Sequence, residues 1–414
     1  MKKLLCSMLL LNCFMATASS GFVEDASSAI EKFHIDCESP DWQLWPVSLC
    51  GPVLIVDAQR NAISNEPLPD FKKEGRYYAG LLPDNIPLAN TAVDWLGKRR
   101  VVLMYPLPKD SLNAERLIAH EAFHRIQPKL SLPMREVSNP HLESIEGRYY
   151  LLLELRALKR ARDKSDSGSL FDAWHFRNKR YQAFPEAKAS EQALEINEGL
   201  AEYTGIKAVN QHSFEEAWFS QLGAIEQQGS LGRQFAYSSF PAWLLVLDKV
   251  GVDWKPKVSA DFFVDDVVAE RFAQDIELHS PSIERYQGSE LLAELNRKEQ
   301  ERLKKREQLL ASYQQHPIAL PLQEMSMTFD PGGVTNLEPE GTHYKPLTIS
   351  DHWGKLTSAQ GGLISSDYQL LTLYCEPNDL SVHGKGINCG EHWQLDLKAG
   401  WLYDLKTREV TSRQ

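Results

Sequence analysis

The stretch LIAHEAFHRIQ, residues 117–127, decides the fold because it carries the chain's most specific motif on a single predicted helix. Asp110 or Ser111 can cap this helix, which we expect to run over residues 112–127. Pro128 then ends it, since proline cannot continue the hydrogen-bond pattern of a helix interior. The motif therefore lies on one short helix with clear ends.

Two histidines on this helix have the spacing of a metal site. His120 and His124 are four residues apart, so their rings leave the same helix face and can bind one cation together. Glu121 lies roughly 100° around the helix from His120, which places its carboxylate beside such a cation as a base for a metal-activated water. The alternative is an amphipathic helix with two core histidines and a surface glutamate. A third ligand would favour the metal site.

That third ligand must come from elsewhere in the chain, because Gln127 and Leu130 occupy the places where a third histidine would follow. Three carboxylates on two further predicted helices are candidates: Glu143 and Glu146 in ESIEGRYYLLLEL, and Glu198 in EINEGLAEYTG. Glu198 is preceded by Asn197 and followed one turn later, on the same face, by Glu202. All three carboxylates remain open on spacing alone.

HEAFH combined with NEGLAEY, residues 197–203, resembles the motif pair of the gluzincin metallopeptidases, here in a bacterial-type exported member. By this resemblance His120, His124 and Glu198 bind Zn²⁺. It also implies that Glu121 is the general base. The resemblance covers the two motif helices and the strand before the first, which is well under half of the chain.

The resemblance further implies that Glu202 accepts the Nδ1 proton of a ligand histidine, and that Asn197 supports the ligand beside it. Two features depart from the family pattern. The separation of His124 and Glu198 is far longer than in many gluzincins, and Glu143 has a spacing that some members use. We expect Glu198 to be the ligand because its surrounding pattern is more specific. The GxMEN signature of the aminopeptidases is absent, which argues against removal of single N-terminal residues.

Gluzincins also use a tyrosine or histidine from a later segment to donate to the oxyanion. The segment SLGRQFAYSSFPAW, residues 230–243, offers Tyr237 at a loop-to-helix junction. Tyr203 and His212 are the alternatives. Arg233, in the same segment as Tyr237, can meet a substrate carboxylate or pair with a neighbouring acid.

The whole chain predicts an α+β fold. We expect a zincin-like, mostly helical catalytic domain over residues 19–315, with a small edge sheet formed by PVLIVDA and RRVVLMYPLP. Residues 288–315 alternate charge sign at helical spacing and predict a solvated helix that connects two domains. Residues 316–414 place glycine-rich and proline-rich turns between short strands, which predicts a small β-domain.

The N-terminus predicts export. Residues 1–18 combine two lysines, an apolar run and a small-residue cleavage site, the pattern of a secretory signal peptide. The run is shorter than the roughly 20 residues of a membrane span, and no later segment supplies one. Four further cysteines predict the disulfides Cys37–Cys50 and Cys375–Cys389. We therefore expect a periplasmic or secreted protein without a transmembrane segment.

The sequence as a whole predicts an exported zinc-dependent peptidase that acts on a peptide or protein substrate. The net charge of −11 argues against a nucleic-acid partner. We expect RRVVLMYPLP to present the sheet edge that an extended peptide can join. Two alternatives stay open: a zinc hydrolase of a non-peptide amide or ester, and a non-catalytic zincin-fold module for binding or regulation. The oligomeric state is not indicated by the sequence.

Overall fold

The computed structural model describes residues 20–162 and 166–412. The predicted signal peptide, residues 1–18, lies outside the described residues. Contacts divide the chain into two compact units, Met1–Ala293 and Glu294–Gln414. The predicted fold class is confirmed, since a mixed unit with a helical middle region is followed by a C-terminal β-domain.

The first unit begins with a helix and a six-stranded sheet. Helix α1 is Ser20–Asp36. The strands, in chain order, are β1 Val53–Val56, β2 Asn61–Ser64, β3 Lys72–Glu74, β4 Tyr77–Leu81, β5 Thr91–Trp95 and β6 Lys98–Met104. They pair in the order β3-β4-β2-β1-β6-β5, and β1 with β6 is a parallel pair among antiparallel ones. β1 is wholly buried and apolar, as expected for a central strand.

One expectation about this sheet is wrong: the strand before the motif helix is not an edge. β6 lies between β1 and β5, so both of its sides are occupied by backbone hydrogen bonds. The edge on that side is β5, which is only partly buried. β3, with the sequence KKE, is fully exposed, so hydrophobic periodicity could not reveal it, and the sheet is larger than predicted.

Helices fill the rest of the first unit. They are α2 Ser111–Ile126, α3 Ile145–Ala161, α4 Ser167–Ala183, α5 Ala187–Leu194, α6 Leu200–Val209, α7 His212–Gln221, α8 Ser239–Lys249 and α9 Val264–Leu278. The motif helix α2 is capped by Asp110, whose carboxylate accepts from the backbone N–H of Asn113 at 3.1 Å. α2 packs against α6, and α3 packs against α4.

A π-helical turn, Glu195–Gly199, joins α5 to α6. In a continuous α-helix, Glu195, Glu198 and Glu202 would share one face, because they are three and four residues apart. The wider π turn shifts the residues before it by about 100° around the axis. As a result Glu195 bonds to Arg177, whereas Glu198 and Glu202 both meet His120.

Glu195 belongs to a fully buried ionic network between α3, α4, α5 and the π turn. Arg177 binds Glu154 and Glu195, and Arg180 binds Glu154 and Glu191, at 2.5–3.0 Å. Two guanidinium groups therefore face three carboxylates away from water. Burial raises the pKa of Glu195 to about 7, and Arg177 offsets only part of this effect. Glu195 in the folded protein therefore keeps its proton at mildly acidic pH, where an ordinary glutamate has lost it.

We predict that this proton makes the stability of the first unit depend on pH. Because the pKa of Glu195 is raised from 4.5 in the unfolded chain to about 7 in the folded one, its stabilising contribution is complete below the lower value. That contribution is lost as the pH rises through about 7, and amounts to about 3 kcal/mol. Urea unfolding between about pH 5 and pH 8 should show this decline, and Glu195→Gln should remove it. An equal decline in both proteins would contradict the prediction.

Helix α10, Gly288–Gln315, starts in the first unit and continues into the second, over the residues predicted as a charged helix. The strands of the second unit are β7 Pro317–Pro321, β8 Ser326–Phe329, β9 Val334–Asn336, β10 Thr342–Tyr344, β11 Leu347–Asp351, β12 Gly354–Ser358, β13 Gly362–Ile364, β14 Leu370–Tyr374, β15 Leu380–His383, β16 Gly386–Cys389, β17 Trp393–Leu397, β18 Trp401–Asp404 and β19 Glu409–Ser412.

These strands form two sheets, β18-β19-β7-β14-β13-β10-β9 and β15-β16-β17-β12-β11-β8, around a shared apolar core. Leu373 of the first sheet and Leu356 of the second are both fully buried in it.

Both predicted disulfides are present, with Cα atoms 5.1 Å apart for Cys37–Cys50 and 5.8 Å apart for Cys375–Cys389. Among the residues that the structure describes, no helix is both long enough and apolar enough to cross a membrane.

Candidate metal centre

Three side chains from two helices meet at one point of the first unit. The Nε2 atoms of His120 and His124 are 3.2 Å apart. Oε2 of Glu198 lies 3.5 Å from each of these two nitrogens. All three side chains are buried, and together they form a group that could hold a metal ion.

The dimensions of this group fit a small divalent cation. A triangle with these edges has a circumscribed radius of about 2.0 Å, close to the bonds of about 2.0–2.2 Å that Zn²⁺ makes with imidazole nitrogen and carboxylate oxygen. The edges also match the separation of about 3.3 Å between ligand atoms of a tetrahedral zinc site. Two imidazoles and a carboxylate could thus supply three of the four ligands of such a site.

The close packing of α2 and α6 brings the ligands together. Gly205 on α6 lies against α2, where a Cβ atom would be only 2.6 Å from the carbonyl oxygen of Arg116. Any larger residue at this position would separate the helices, because backbone atoms cannot move aside as a flexible side chain can. The absence of a side chain at Gly205 therefore allows the approach of Glu198 to the histidines.

His120 is oriented by an acid one turn beyond Glu198. Its Nδ1 lies 3.2 Å from Oε2 of Glu202, and Arg116 donates to both oxygens of Glu202 at 2.6 and 2.7 Å. Burial lowers the pKa of His120, but Glu198 and Glu202 outweigh this effect and raise it to about 9. A metal ion that binds to Nε2 of His120 must therefore displace a proton from this histidine. Glu202 thus lies against the Nδ1 of His120, and Arg116, which was not anticipated, lies on the other side of its carboxylate.

His124 is oriented by Gln127, a residue whose only predicted significance was that it is not the glycine that would precede a third histidine. Its Nδ1 lies 3.0 Å from Oε1 of Gln127. The amide of Gln127 is fixed in turn, because its Nε2 donates to the carbonyl oxygen of Pro133 at 2.9 Å. With Nδ1 of each histidine engaged, both Nε2 atoms face Glu198. The three-residue spacing between His124 and Gln127 on one helix was an available signal.

Glu121 stands beside the ligands with one free oxygen. The side chain is buried, and its Oε2 has no hydrogen-bond partner among the described residues. Burial raises the pKa of Glu121, while the neighbouring His120 and His124 lower it and Glu198 raises it further. An unsatisfied buried carboxylate oxygen is costly, and this one lies beside three atoms that could hold a metal ion.

Tyr237 also reaches the centre, but through a ligand. Its hydroxyl donates to Oε2 of Glu198 at 2.5 Å, and its ring stacks on His120 with centroids 5.7 Å apart. Burial and the charge of Glu198 raise the pKa of Tyr237 well above its ordinary value, so the hydroxyl keeps its proton. The alternatives lie elsewhere: Tyr203 donates to Asp248 at 2.7 Å, and the exposed His212 pairs with Glu216.

The other two candidates for the third ligand are not part of this group. Glu143 accepts hydrogen bonds from the backbone N–H groups of Leu231 and Gly232 at 3.0 and 3.1 Å, and from Arg148 at 2.6 Å. It therefore anchors the segment that leads to Tyr237. Glu146 is an exposed residue in the first turn of α3.

A loop closed by the Cys37–Cys50 disulfide packs against both motif helices. Arg125, which follows His124, donates to the carbonyl oxygen of Cys50 at 2.6 Å. Trp45 donates to the hydroxyl of Thr204 on α6 at 2.9 Å, and its ring contacts Phe123 of α2 with centroids 5.2 Å apart. The loop thus bridges the helix that carries the histidines and the helix that follows Glu198.

We predict that opening this disulfide weakens metal binding. A disulfide that closes a loop of this size contributes about 3 kcal/mol in the chain-entropy model. If about half of that free energy fixes the two helices relative to each other, Cys37→Ser with Cys50→Ser lowers the Zn²⁺ affinity about tenfold. Competition with a chromogenic chelator measures this change. Cys375→Ser with Cys389→Ser, in the other unit, is the matched control, and equal affinities in the two double variants would refute the prediction.

Comparison of the chain with models of protein families, with curated proteins and with solved structures finds no match in any of the three. The assignment of function therefore depends on the geometry of the metal centre.

Proposed function

We propose that this protein is a zinc-dependent hydrolase of peptide bonds, related in its mechanism to the gluzincin metallopeptidases. The observation that carries the proposal is the convergence of His120, His124 and Glu198 on one point, next to the unpartnered oxygen of Glu121. Zinc is the metal we infer, because two imidazoles and one carboxylate are a common ligand set of catalytic zinc. The same motif pair supports the likeness to gluzincins.

Each residue has a distinct task in this proposal. Zinc held by three protein ligands supplies a Lewis acid with an open coordination position, where the pKa of water falls to about 7. Glu121 accepts the proton of the attacking water at Oε2 and later delivers it to the leaving amine. Its buried position keeps competing solvent away from that oxygen. Glu202 and Gln127 hold the two imidazoles in the tautomer that leaves Nε2 free.

Tyr237 is the donor that we propose for the developing oxyanion. Its hydroxyl keeps a proton next to the group of His120, His124 and Glu198, where a substrate oxygen bound at the metal could accept it. We propose that an extended peptide or protein segment joins the free edge of β5, the strand that lies next to β6 and packs on α2. This replaces the edge that was expected at RRVVLMYPLP.

We further propose that the protein acts outside the cytoplasm, in the periplasm or as a secreted enzyme. Two disulfides support this location, because oxidising compartments form and keep them. The signal peptide predicted over residues 1–18 supports it independently of the structure.

Two other functions use the same centre differently. A hydrolase of a non-peptide amide or ester would need the same ligands and base. A structural metal in a binding module would close the coordination sphere with a fourth protein ligand. The free Oε2 of Glu121 favours a hydrolase over such a module, because a structural site gains nothing from an unsatisfied buried carboxylate.

The proposal is tested by hydrolysis of a mixture of internally quenched fluorescent peptides. We expect cleavage that stops on treatment with 1,10-phenanthroline and returns when Zn²⁺ is added. A parallel assay with p-nitrophenyl esters and amides separates the first alternative. Full peptide cleavage after complete removal of metal, or ester turnover without any peptide cleavage, would show that the proposed function is wrong.

A further inference from the structure

The carboxylate of Glu198 is held asymmetrically. Oε2 faces the two histidines, as described above. Oε1 accepts hydrogen bonds from Nδ2 of Asn197 at 3.1 Å and from Nη2 of Arg233 at 2.9 Å. Because Glu198 is buried, these two donors replace the water that would otherwise surround that oxygen.

Arg233 has a geometry suited to fixing this carboxylate. Its guanidinium has two further partners. Nη2 also donates to the hydroxyl of Tyr237 at 3.1 Å, and Nη1 pairs with Glu136. The planar fork of arginine cannot satisfy these partners in another orientation, so its contacts define where Oε1 lies. Asn197 is held as well, since its Nδ2 also donates to Glu136 at 3.2 Å. Glu136 thus joins both donors.

A carboxylate can bind zinc through one oxygen or through both, and the choice changes how many coordination positions stay open. If Oε1 of Glu198 were free to turn, it could occupy the position that water and substrate need. Arg233 and Asn197 donate to the lone pairs of Oε1 that a metal would otherwise use. A charge-assisted hydrogen bond to a carboxylate is among the stronger hydrogen bonds in proteins. A metal bound at this centre would then meet Glu198 through Oε2 alone.

We propose that Arg233 is a positioning residue that keeps Glu198 a one-oxygen metal ligand and so preserves the open coordination position. Asn197 assists it. This inference rests on the proposed function, because it presupposes that the centre binds a metal. It also assigns a task to Arg233 other than meeting a substrate carboxylate, the first of the two possibilities that the sequence left open.

The alternative effect of Arg233 is electrostatic: a guanidinium near a cation would repel it. Glu136 opposes this repulsion, because its carboxylate pairs directly with Arg233. Both Arg233 and Glu136 have side chains exposed by half or more, so solvent screens their charges. The hydrogen bond to a buried oxygen is screened far less than the charge. Removal of the side chain should therefore act mainly through the lost hydrogen bond.

The experiment uses the full chain and its Co²⁺-substituted form, because the visible absorption of Co²⁺ weakens as its coordination number rises above four. Arg233→Met removes the donor while keeping much of the apolar stem. Glu136→Gln is the comparison variant, since it removes the counter-charge that holds Arg233 and Asn197 but leaves both donors in place. Arg233→Lys keeps the charge and one possible donor. Thermal unfolding of the metal-free proteins checks that each variant is folded.

We expect Arg233→Met to weaken the Co²⁺ absorption and to lower the Zn²⁺ affinity about 10- to 100-fold, the usual effect of removing an outer partner of a ligand. Arg233→Lys should recover part of both losses, and Glu136→Gln, which loosens the two donors but removes neither, should show smaller losses than Arg233→Met. Wild-type absorption in Arg233→Met, or tighter Zn²⁺ binding by it, would overturn the inference while leaving the proposed function intact. A wild-type protein that takes up neither ion would instead overturn the proposed function.

Discussion

Glu121→Gln is expected to lower kcat/KM for peptide hydrolysis by a factor of about 10² to 10⁴, the usual contribution of a positioned general base. The amide has nearly the size and shape of the carboxylate but cannot accept the proton of the attacking water. Since Glu121 is not one of the three grouped ligands, the variant should bind as much zinc as the wild type. Steady-state kinetics and metal analysis of the same preparation measure both effects.

A matched control is available on the same helix. Glu115 also lies on α2, but its carboxylate pairs with Lys32 at 2.8 Å and not with the metal ligands. Glu115→Gln should therefore leave kcat/KM within a factor of about three, because the lost ion pair with the half-exposed Lys32 is weak and does not involve the metal ligands. If Glu121→Gln retained full activity with its metal in place, Glu121 could not be the base, and the case for a binding module would become stronger.

Glu154→Leu is expected to destabilise the first unit by about 3–5 kcal/mol, the cost of removing one partner from a buried ionic network. Glu154 is fully buried and accepts hydrogen bonds from Arg177, Arg180 and Trp243 at 2.7–3.0 Å. The variant would leave two buried guanidinium groups with less opposing charge. Urea unfolding followed by circular dichroism measures the loss.

An exposed ion pair provides the comparison. Glu216 pairs with Arg162 at 2.9 Å at the surface, so Glu216→Ala should cost less than about 1 kcal/mol. Because the buried network holds Glu195 in the π turn next to Glu198, Glu154→Leu should also weaken zinc binding. A cost for Glu154→Leu no larger than that for Glu216→Ala would show that the network contributes little to stability.

The parts of the site that could be predicted are those that depend on the spacing of residues along one helix. His120 and His124 are one helical turn apart, and so are Glu198 and Glu202, so each helix presents its pair on one face regardless of the rest of the fold. Tyr237 was proposed as the oxyanion donor from its position before α8, and its ring lies against His120. Its hydroxyl, however, bonds to Glu198, a contact that local sequence cannot encode.

The remaining partners depend on long-range contacts. Arg116 meets Glu202 across 86 positions of the chain, and Arg233 meets Glu198 across 35, so neither pairing follows from helical periodicity. The π turn at Glu195–Gly199 could not be predicted either, because its residues are compatible with an ordinary α-helix. The polar strands of the first sheet were not predicted for a similar reason. Backbone hydrogen bonds to neighbouring strands, and not an apolar pattern in their own sequence, hold them in place.

The most direct test of this account is the zinc content of three purified proteins, measured by inductively coupled plasma mass spectrometry: wild type, Glu198→Ala and Glu143→Ala. We predict about one zinc ion per chain in the wild type and in Glu143→Ala, and far less in Glu198→Ala, because a catalytic zinc needs all three protein ligands. A site emptied by Glu143→Ala but retained in Glu198→Ala would contradict the ligand assignment. No zinc in the wild type would contradict the metal centre itself.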